Sequence, residues 1–206
     1  MSQEISQKQI PLQTIIFFGA SGSGKGSQGK LLKDFLEEND TRKILHLETG
    51  QRFREFLNHS GYVAQKASDL TRGGHLQPEF LSVWNWTTAL VEELEYNMHL
   101  ILDGSPRQPE EPRVLATALD FLERNPVHVI YLELSDDVIR ERLRHRGRPD
   151  DQNEEAIERR ITWFKENIKE KILPHYQNNE RYIFHTISGE GGLDAIHQNI
   201  LQALGL

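Results

Sequence analysis

The chain has 206 residues, of which 37 % are hydrophobic and 27 % charged, and its formal net charge is −7. This length suits one domain with a substantial core, and the composition excludes a disordered or fibrous protein. The sequence contains no cysteine, so disulfides, thiolate catalysis and cysteine-ligated zinc are excluded. The acidic balance argues against nucleic-acid binding, and no apolar run is long enough to cross a bilayer. We therefore predict a cytoplasmic protein that binds small molecules and has no nucleic-acid or membrane partner.

Five short runs rich in β-branched and aromatic residues alternate with longer segments of helical periodicity. The runs are residues 14–18, 43–47, 99–102, 128–134 and 182–187. This alternation predicts an α/β fold with a five-stranded parallel sheet and helices on both faces. Ligands of such folds bind at the carboxyl ends of the strands, so the residues that follow each strand are the candidates for chemistry.

A glycine-rich loop, Gly-Ala-Ser-Gly-Ser-Gly-Lys-Gly-Ser at 19–27, follows the first predicted strand and precedes a helical segment. Backbone N–H groups in such a loop bind phosphate, and Lys25 would supply a positive charge for the β and γ phosphates. An ordinary Gly/Ser turn is the alternative, but the strand before the loop and the helix after it are the context that a P-loop requires. The loop therefore predicts the P-loop NTPase fold. It departs from the general pattern because Gly26 separates Lys25 from the hydroxyl of Ser27.

Four motifs in the same order along the chain resemble adenylate kinases and related nucleoside monophosphate kinases. They are the loop itself with the following glutamine, Thr49-Gly50 with Arg54, Leu-Asp-Gly-Ser-Pro-Arg at 102–107, and Arg-Pro-Asp-Asp at 148–151. The resemblance covers about residues 15–191. It implies direct in-line transfer of the γ-phosphoryl group from Mg-ATP to a nucleoside monophosphate, with AMP as the first expectation.

The resemblance also implies a donor site for ATP and Mg²⁺. Its residues would be Gly22, Ser23, Gly24, Lys25, Gly26, Ser27, Arg142, Arg146 and Gly191. Arg142 would stack on the adenine, and Gly191 would contact it through the backbone. Ser27 and Asp103 would hold Mg²⁺, the aspartate through water, although an aspartate at this place could also be a strand-ending cap.

The acceptor site that the resemblance implies comes from the later motifs. Its residues would be Thr49, Arg54, His75, Leu76, Gln77, Gly104, Arg107, Glu111, Arg148 and Arg160. Transfer itself would depend on Lys25, Arg107, Arg146, Arg148 and Arg160. An acceptor phosphate is already ionised, so the reaction needs converging arginines rather than a general base. Arg140 and Arg144 lie on another helix face and are predicted to be solvated surface.

The sequence departs from the family pattern in four places. Glu111 stands where a base-reading glutamine is usual, and Gln51 where an aspartate that helps to organise Mg²⁺ is common. The lid is short, without a zinc module. Asn153 adds one residue before the next helix, which leaves the choice between Arg159 and Arg160 open.

We predict one monomeric domain over residues 1–206. Its core would comprise residues 10–47, 77–145 and 154–206, with an acceptor-binding lobe at about 48–76, a short lid at about 146–153, and flexible residues 1–9. Two alternatives remain: the same chemistry with CMP, UMP or a deoxynucleotide as acceptor, and a nucleotide-binding regulatory module with little activity. A GTPase switch is disfavoured because the base-reading sequence Asn-Lys-x-Asp is absent.

Overall fold

Five parallel strands form one sheet in the order β2-β3-β1-β4-β5 in the computed structural model, which describes residues 10–72, 77–146 and 153–206. The strands are β1 (Thr14–Gly19), β2 (Ile44–Glu48), β3 (His99–Asp103), β4 (Val127–Glu133) and β5 (Tyr182–Ser188). The predicted α/β fold is confirmed, and each strand begins and ends within one residue of its predicted position. Because β3 and β4 flank β1, the chain reverses its direction of winding at β1, where open α/β sheets bind ligands.

Helices connect the strands and cover both faces of the sheet. They are α1 (Lys25–Asn39), α2 (Thr49–Leu57), α3 (Tyr62–Arg72), α4 (Glu79–Glu93), α5 (Glu111–Phe121), α6 (Asp136–Arg146), α7 (Glu154–Trp163), α8 (Leu173–Gln177) and α9 (Leu193–Leu204). A π-helical segment, Phe164–Ile172, joins α7 to α8. No helix in the described part of the chain is long and apolar enough to span a membrane.

Alternate residues of the central strands enter two separate hydrophobic clusters. In β1, Ile16 and Phe18 belong to the larger cluster, which includes side chains of α4, α5 and α7, whereas Ile15 and Phe17 face α1 and α9. The side chains of successive strand residues point to opposite faces of a sheet, so a strand buried on both faces must be apolar throughout. This requirement explains the uninterrupted Ile-Ile-Phe-Phe run that comes directly before the glycine-rich loop.

Helix α2 packs against α3 and α4 and contacts β3. The rings of Phe56 in α2 and Trp84 in α4 are 4.8 Å apart, and the Trp84 side chain is 41 % exposed. At the base of α2, the buried amide of Asn85 donates a hydrogen bond of 2.8 Å to the carbonyl oxygen of Thr49. The helices of the predicted acceptor lobe are thus attached to the core through α4.

A buried ionic cluster closes the opposite end of the sheet. His99 is fully buried; its Nδ1 accepts a hydrogen bond of 3.0 Å from the backbone N–H of Gln13, and its Nε2 lies 3.3 Å from the Asp40 carboxylate. Because Nδ1 is an acceptor, the proton of neutral His99 belongs on Nε2, facing Asp40. Hydrogen bonds from Arg42 hold the pKa of Asp40 well below its usual range.

We expect the free energy of unfolding to fall on mild acidification. Burial lowers the pKa of five histidines: His46, His99, His128, His185 and His197. Below about pH 6.5 these side chains take up protons in the unfolded chain before they do so in the folded one, so the unfolded state binds more protons and stability decreases. Urea midpoints measured between about pH 7.5 and 5.5 test this expectation. A midpoint that stays constant or rises on acidification would contradict it.

Candidate active site

The glycine-rich loop lies at the carboxyl end of β1 and is held by its own contacts. The backbone N–H of Ser23 donates to the carbonyl oxygen of Ala20 at 3.0 Å. The ammonium of Lys25, the first residue of α1, donates to the carbonyl oxygens of Gly19 at 2.7 Å and Ala20 at 3.1 Å. Gly24 precedes α1 with a φ of 94°, a conformation that side-chain-bearing residues rarely adopt. The loop therefore presents the amino terminus of α1 together with a lysine, as a phosphate site requires.

A cleft of about 300 Å³ opens in front of this loop. Its walls come from the loop, the segment after β2, the segment after β3, and α6. The lining residues are Ser21, Gly22, Gly24, Lys25, Gly26, Ser27, Glu48, Gly50, Gln51, Arg54, Asp103, Arg107, Arg142 and Arg146. Five of these side chains are cationic, so the cleft suits a polyanion. A second depression, of about 690 Å³, lies between Phe56 and Ala64 beside α3. It is lined by apolar residues, small polar residues and a histidine, and it has no lysine or arginine among the lining residues.

Two carboxyl groups also line the cleft. Glu48 and Asp103 end β2 and β3 and are paired in the sheet register. A Cβ atom placed on Gly26 would lie 3.4 Å from Asp103 Oδ2 and 3.8 Å from Glu48 Oε2, next to the exposed Ser27. Hydroxyl and carboxylate oxygens are the donors that Mg²⁺ prefers, so these residues fit a magnesium ion that accompanies a nucleotide. Within residues 10–72, 77–146 and 153–206, no group of three or more His, Asp or Glu residues is arranged to hold a metal ion.

Two guanidinium groups in the lining of the cleft converge beside Gly50. A Cβ atom on Gly50 would lie 3.5 Å from both Arg54 Nη1 and Arg107 Nη2. Burial lowers the pKa of Arg107, while the nearby carboxylate of Asp103 raises it and Arg160 and Arg54 lower it further. Arg107 nevertheless keeps solvent-exposed surface and remains protonated. Guanidinium groups held together in this way form a site for a phosphate group.

Gly104 makes room for this arginine. Its φ is 86°, and a Cβ atom there would lie 2.6 Å from Arg107 Nη2 and 3.0 Å from Thr49 Oγ1. The Nε of Arg107 donates to the carbonyl oxygen of Gly104. Gly104 was predicted to belong to the acceptor site, and in the structure the space beside it is occupied by Arg107.

Thr49 connects the second and third strand ends. It is buried, and its hydroxyl donates a hydrogen bond of 3.1 Å to the carbonyl oxygen of Asp103. Thr49 is the first residue of α2, and Glu48 occupies the cap position before it. Since its hydroxyl oxygen still has accepting capacity, contact with an acceptor base stays a prediction.

Glu111 lies beneath the cleft rather than on its surface. It is fully buried, and its Oε1 accepts hydrogen bonds from Ser82 Oγ at 2.7 Å, Gln108 N at 2.9 Å and Arg107 N at 3.3 Å. Its Oε2 accepts one from the indole of Trp86 at 2.9 Å. This finding corrects the prediction that Glu111 contacts the acceptor base, because its carboxyl group is used to join α4 to the loop that carries Arg107.

The arginines of α6 and α7 divide into two groups. Arg142 donates to the carbonyl oxygens of Gly189 at 2.9 Å and Gly22 at 3.4 Å, and Arg160 reaches Ser21 Oγ at 3.3 Å. Arg159 pairs instead with Glu155 at 2.8 Å on the exposed side of α7. Of the two candidates that the sequence left open, Arg160 is therefore the one beside the loop.

Arg140 and Arg144, predicted to be solvated surface, lie in ion pairs between α6 and α7. Arg140 pairs with Glu158, and Arg144 pairs with Glu154 at 2.7 Å. These contacts join the two helices and leave the cleft to Arg142 and Arg146.

Two further residues of the predicted sites are described. The side-chain amide of Gln77 donates a hydrogen bond of 2.8 Å to the carbonyl oxygen of Ala67 in α3. Gly191 is exposed and follows β5 with a φ of 112°. His75, Leu76 and Arg148 lie outside the described residues.

Sequence reasoning missed two features of the site. One is the hydrogen bond from the indole of Trp86 to the buried carboxylate of Glu111. Glu48 was not considered, although it ends its strand at the same level as Asp103 and the rule that led to Asp103 applies equally to it.

Comparisons with known proteins agree with this geometry. The sequence model of the adenylate kinase family matches residues 17–181. The adenylate kinase of Mycobacterium sp. (strain MCS) is 32 % identical over 195 residues, covering 93 % of this chain and 98 % of that relative. That of Corynebacterium urealyticum is 30 % identical over 190 residues, with 92 % and 98 % covered, and that of Flavobacterium psychrophilum 28 % over 197 residues, with 92 % and 97 % covered. With a P-loop, converging arginines and this match over most of its length, the chain belongs to the adenylate kinase family.

Proposed function

We propose that the protein catalyses ATP + AMP = 2 ADP by direct in-line transfer of the γ-phosphoryl group. One observation carries the proposal: the P-loop with Lys25 and the converging guanidinium groups of Arg54 and Arg107 line a single cleft. Two cationic sites in one cleft can hold two phosphate chains. A protein that only bound ATP would not need the second one.

On the donor side, the P-loop and Lys25 would bind the β and γ phosphates of ATP. Lys25 now bonds two loop carbonyls, and a phosphate oxygen would compete for the same ammonium protons. Arg142 lies between Gly22 and the turn at Gly189, so its guanidinium plane would stack on the adenine there. Arg146 would contact the phosphates from α6.

On the acceptor side, Arg54 and Arg107 would clamp the α-phosphate of AMP. Arg160 lies close enough to lower the pKa of Arg107 and would bridge the two phosphate chains from α7. Together these charges would stabilise the negative charge that spreads over the transferring oxygens, and the fixed positions would align the attacking oxygen with the leaving group. Thr49 and Gln77 would line the base site.

Ser27 and Asp103 would hold the Mg²⁺ of Mg-ATP, which neutralises charge on the β and γ phosphates when bound. Closure of the acceptor-binding lobe would exclude water, since hydrolysis of ATP is the competing reaction. The protein would act on small-molecule nucleotides as a cytoplasmic monomer, in keeping with its charge of −7.

We expect ADP to form rapidly from Mg-ATP and AMP, because the two cationic sites line one cleft. The measurement is a coupled assay of ADP formation with Mg-ATP and each of AMP, CMP, UMP and GMP, together with a reaction that lacks an acceptor. Turnover with AMP that is well above the rate with the other bases supports the proposal. Faster turnover with a pyrimidine would keep the mechanism and replace the acceptor, and tight ATP binding without any product would indicate the regulatory module.

A further inference from the structure

Glu48 occupies a place that the proposed reaction has so far left without a role. It is the last residue of β2, it is paired with Asp103 in the sheet register, and it lines the cleft. A Cβ atom placed on Gly26 would lie 3.8 Å from Glu48 Oε2 and 3.4 Å from Asp103 Oδ2. The two carboxyl groups therefore border one small space beside the P-loop and Ser27.

Local structure does not account for this carboxyl group. Glu48 is the cap residue of α2, but its side chain makes no capping hydrogen bond. Across the described ranges, no hydrogen bond or ion pair engages its carboxyl oxygens. Gln51, one turn further along α2, also lines the cleft, and its side-chain amide donates a hydrogen bond of 3.0 Å to Glu55.

Glu48 and Asp103 lie side by side at the ends of neighbouring strands and both line the cleft. Two acids side by side, facing the polyphosphate of a nucleotide, repel it unless a cation lies between.

We propose that Glu48 and Asp103 together hold the divalent cation of the bound nucleotide, opposite the hydroxyl of Ser27. Glu48 would accept hydrogen bonds from water molecules on the cation, since Mg²⁺ usually keeps several of its waters. This inference rests on the proposed ATP site. It assigns Glu48, at the end of β2, as the second acidic group beside Asp103. Gln51 does not supply that group, because its side chain is an uncharged amide.

The test compares Glu48→Gln with the wild-type protein by titration calorimetry, using ATP with excess Mg²⁺ and ATP with EDTA. We expect the Kd of Mg-ATP to rise about tenfold, the size typical for partners outside the first ligand shell of a metal, while the Kd of ATP in EDTA stays the same or falls. A second readout is the Mn²⁺ affinity of the ATP-loaded protein, measured by electron paramagnetic resonance of free Mn²⁺. It should fall by a similar factor.

Glu55→Gln is the matched control, because it removes the same charge from the exposed side of α2. It should leave both Kd values unchanged. An equal change in the two Kd values of Glu48→Gln, or no change in either, would overturn the proposal. If that variant does not fold, Glu48→Asp replaces it under the same criteria. A wild-type protein without phosphoryl transfer would refute the proposed reaction, but its metal-dependent ATP binding would still decide the role of Glu48.

Discussion

Replacing Lys25 with alanine is expected to lower kcat/KM for ATP and AMP by at least about 10³-fold, in the range found for other groups that stabilise charge in phosphoryl transfer. The ammonium lies at the start of α1 and lines the same cleft as the acceptor arginines. Its loss removes positive charge where the β–γ bridge would develop negative charge. The coupled assay of ADP formation measures the effect.

Lys30→Ala is the control for Lys25→Ala, because Lys30 is exposed on the same helix. It should keep wild-type turnover. Circular dichroism and thermal melting should show that Lys25→Ala is folded, since the lysine bonds carbonyl oxygens within its own loop. Unchanged turnover in a folded Lys25→Ala protein would remove the basis for the proposed reaction.

Glu111→Gln is expected to reduce the free energy of unfolding by about 2–3 kcal/mol, the cost of leaving a buried donor unsatisfied. The amide oxygen can replace Oε1, which accepts from Ser82 and Gln108, but the amide nitrogen would then face the indole N–H of Trp86. Two donors would meet in a fully buried site. Urea denaturation measures the change, and KM for AMP should rise because the loop that carries Arg107 loses part of its support.

Glu110→Gln provides the comparison, since Glu110 is the exposed neighbour of Glu111. Its effect on stability should be within about 0.5 kcal/mol. If Glu111→Gln were as stable as the wild type and changed only the preference for the acceptor base, Glu111 would read the base after all, and the structural role described above would be wrong.

The sheet could be predicted from sequence because its signals are local. Each strand is a short β-rich run, and the Ile-Ile-Phe-Phe segment has to be apolar because both faces of β1 are covered. The P-loop could be predicted for the same reason, since its glycines and Lys25 are adjacent in the chain. Asp103 could be predicted as a site residue because it lies at the end of a predicted strand.

The partners of Glu111 could not be predicted in the same way. Ser82 and Trp86 lie 29 and 25 residues away in sequence, so only the packing of α4 against the loop before α5 brings them to one carboxyl group. The choice between Arg159 and Arg160 could not be made from the sequence for the same reason. One position on a helix is about 100° of rotation, and only the packing of α7 decides which of two neighbours faces the loop.

The contacts of the P-loop have a consequence for the thermodynamics of binding. Lys25 and Ser23 bond carbonyl oxygens of the loop itself, so the conformational entropy of this segment is lost when the chain folds. An arriving phosphate then exchanges one set of acceptors for another without having to order the backbone. Encounter with ATP should accordingly be limited by diffusion and by movement of the surrounding helices, while the phosphate-binding loop acts as a rigid receptor.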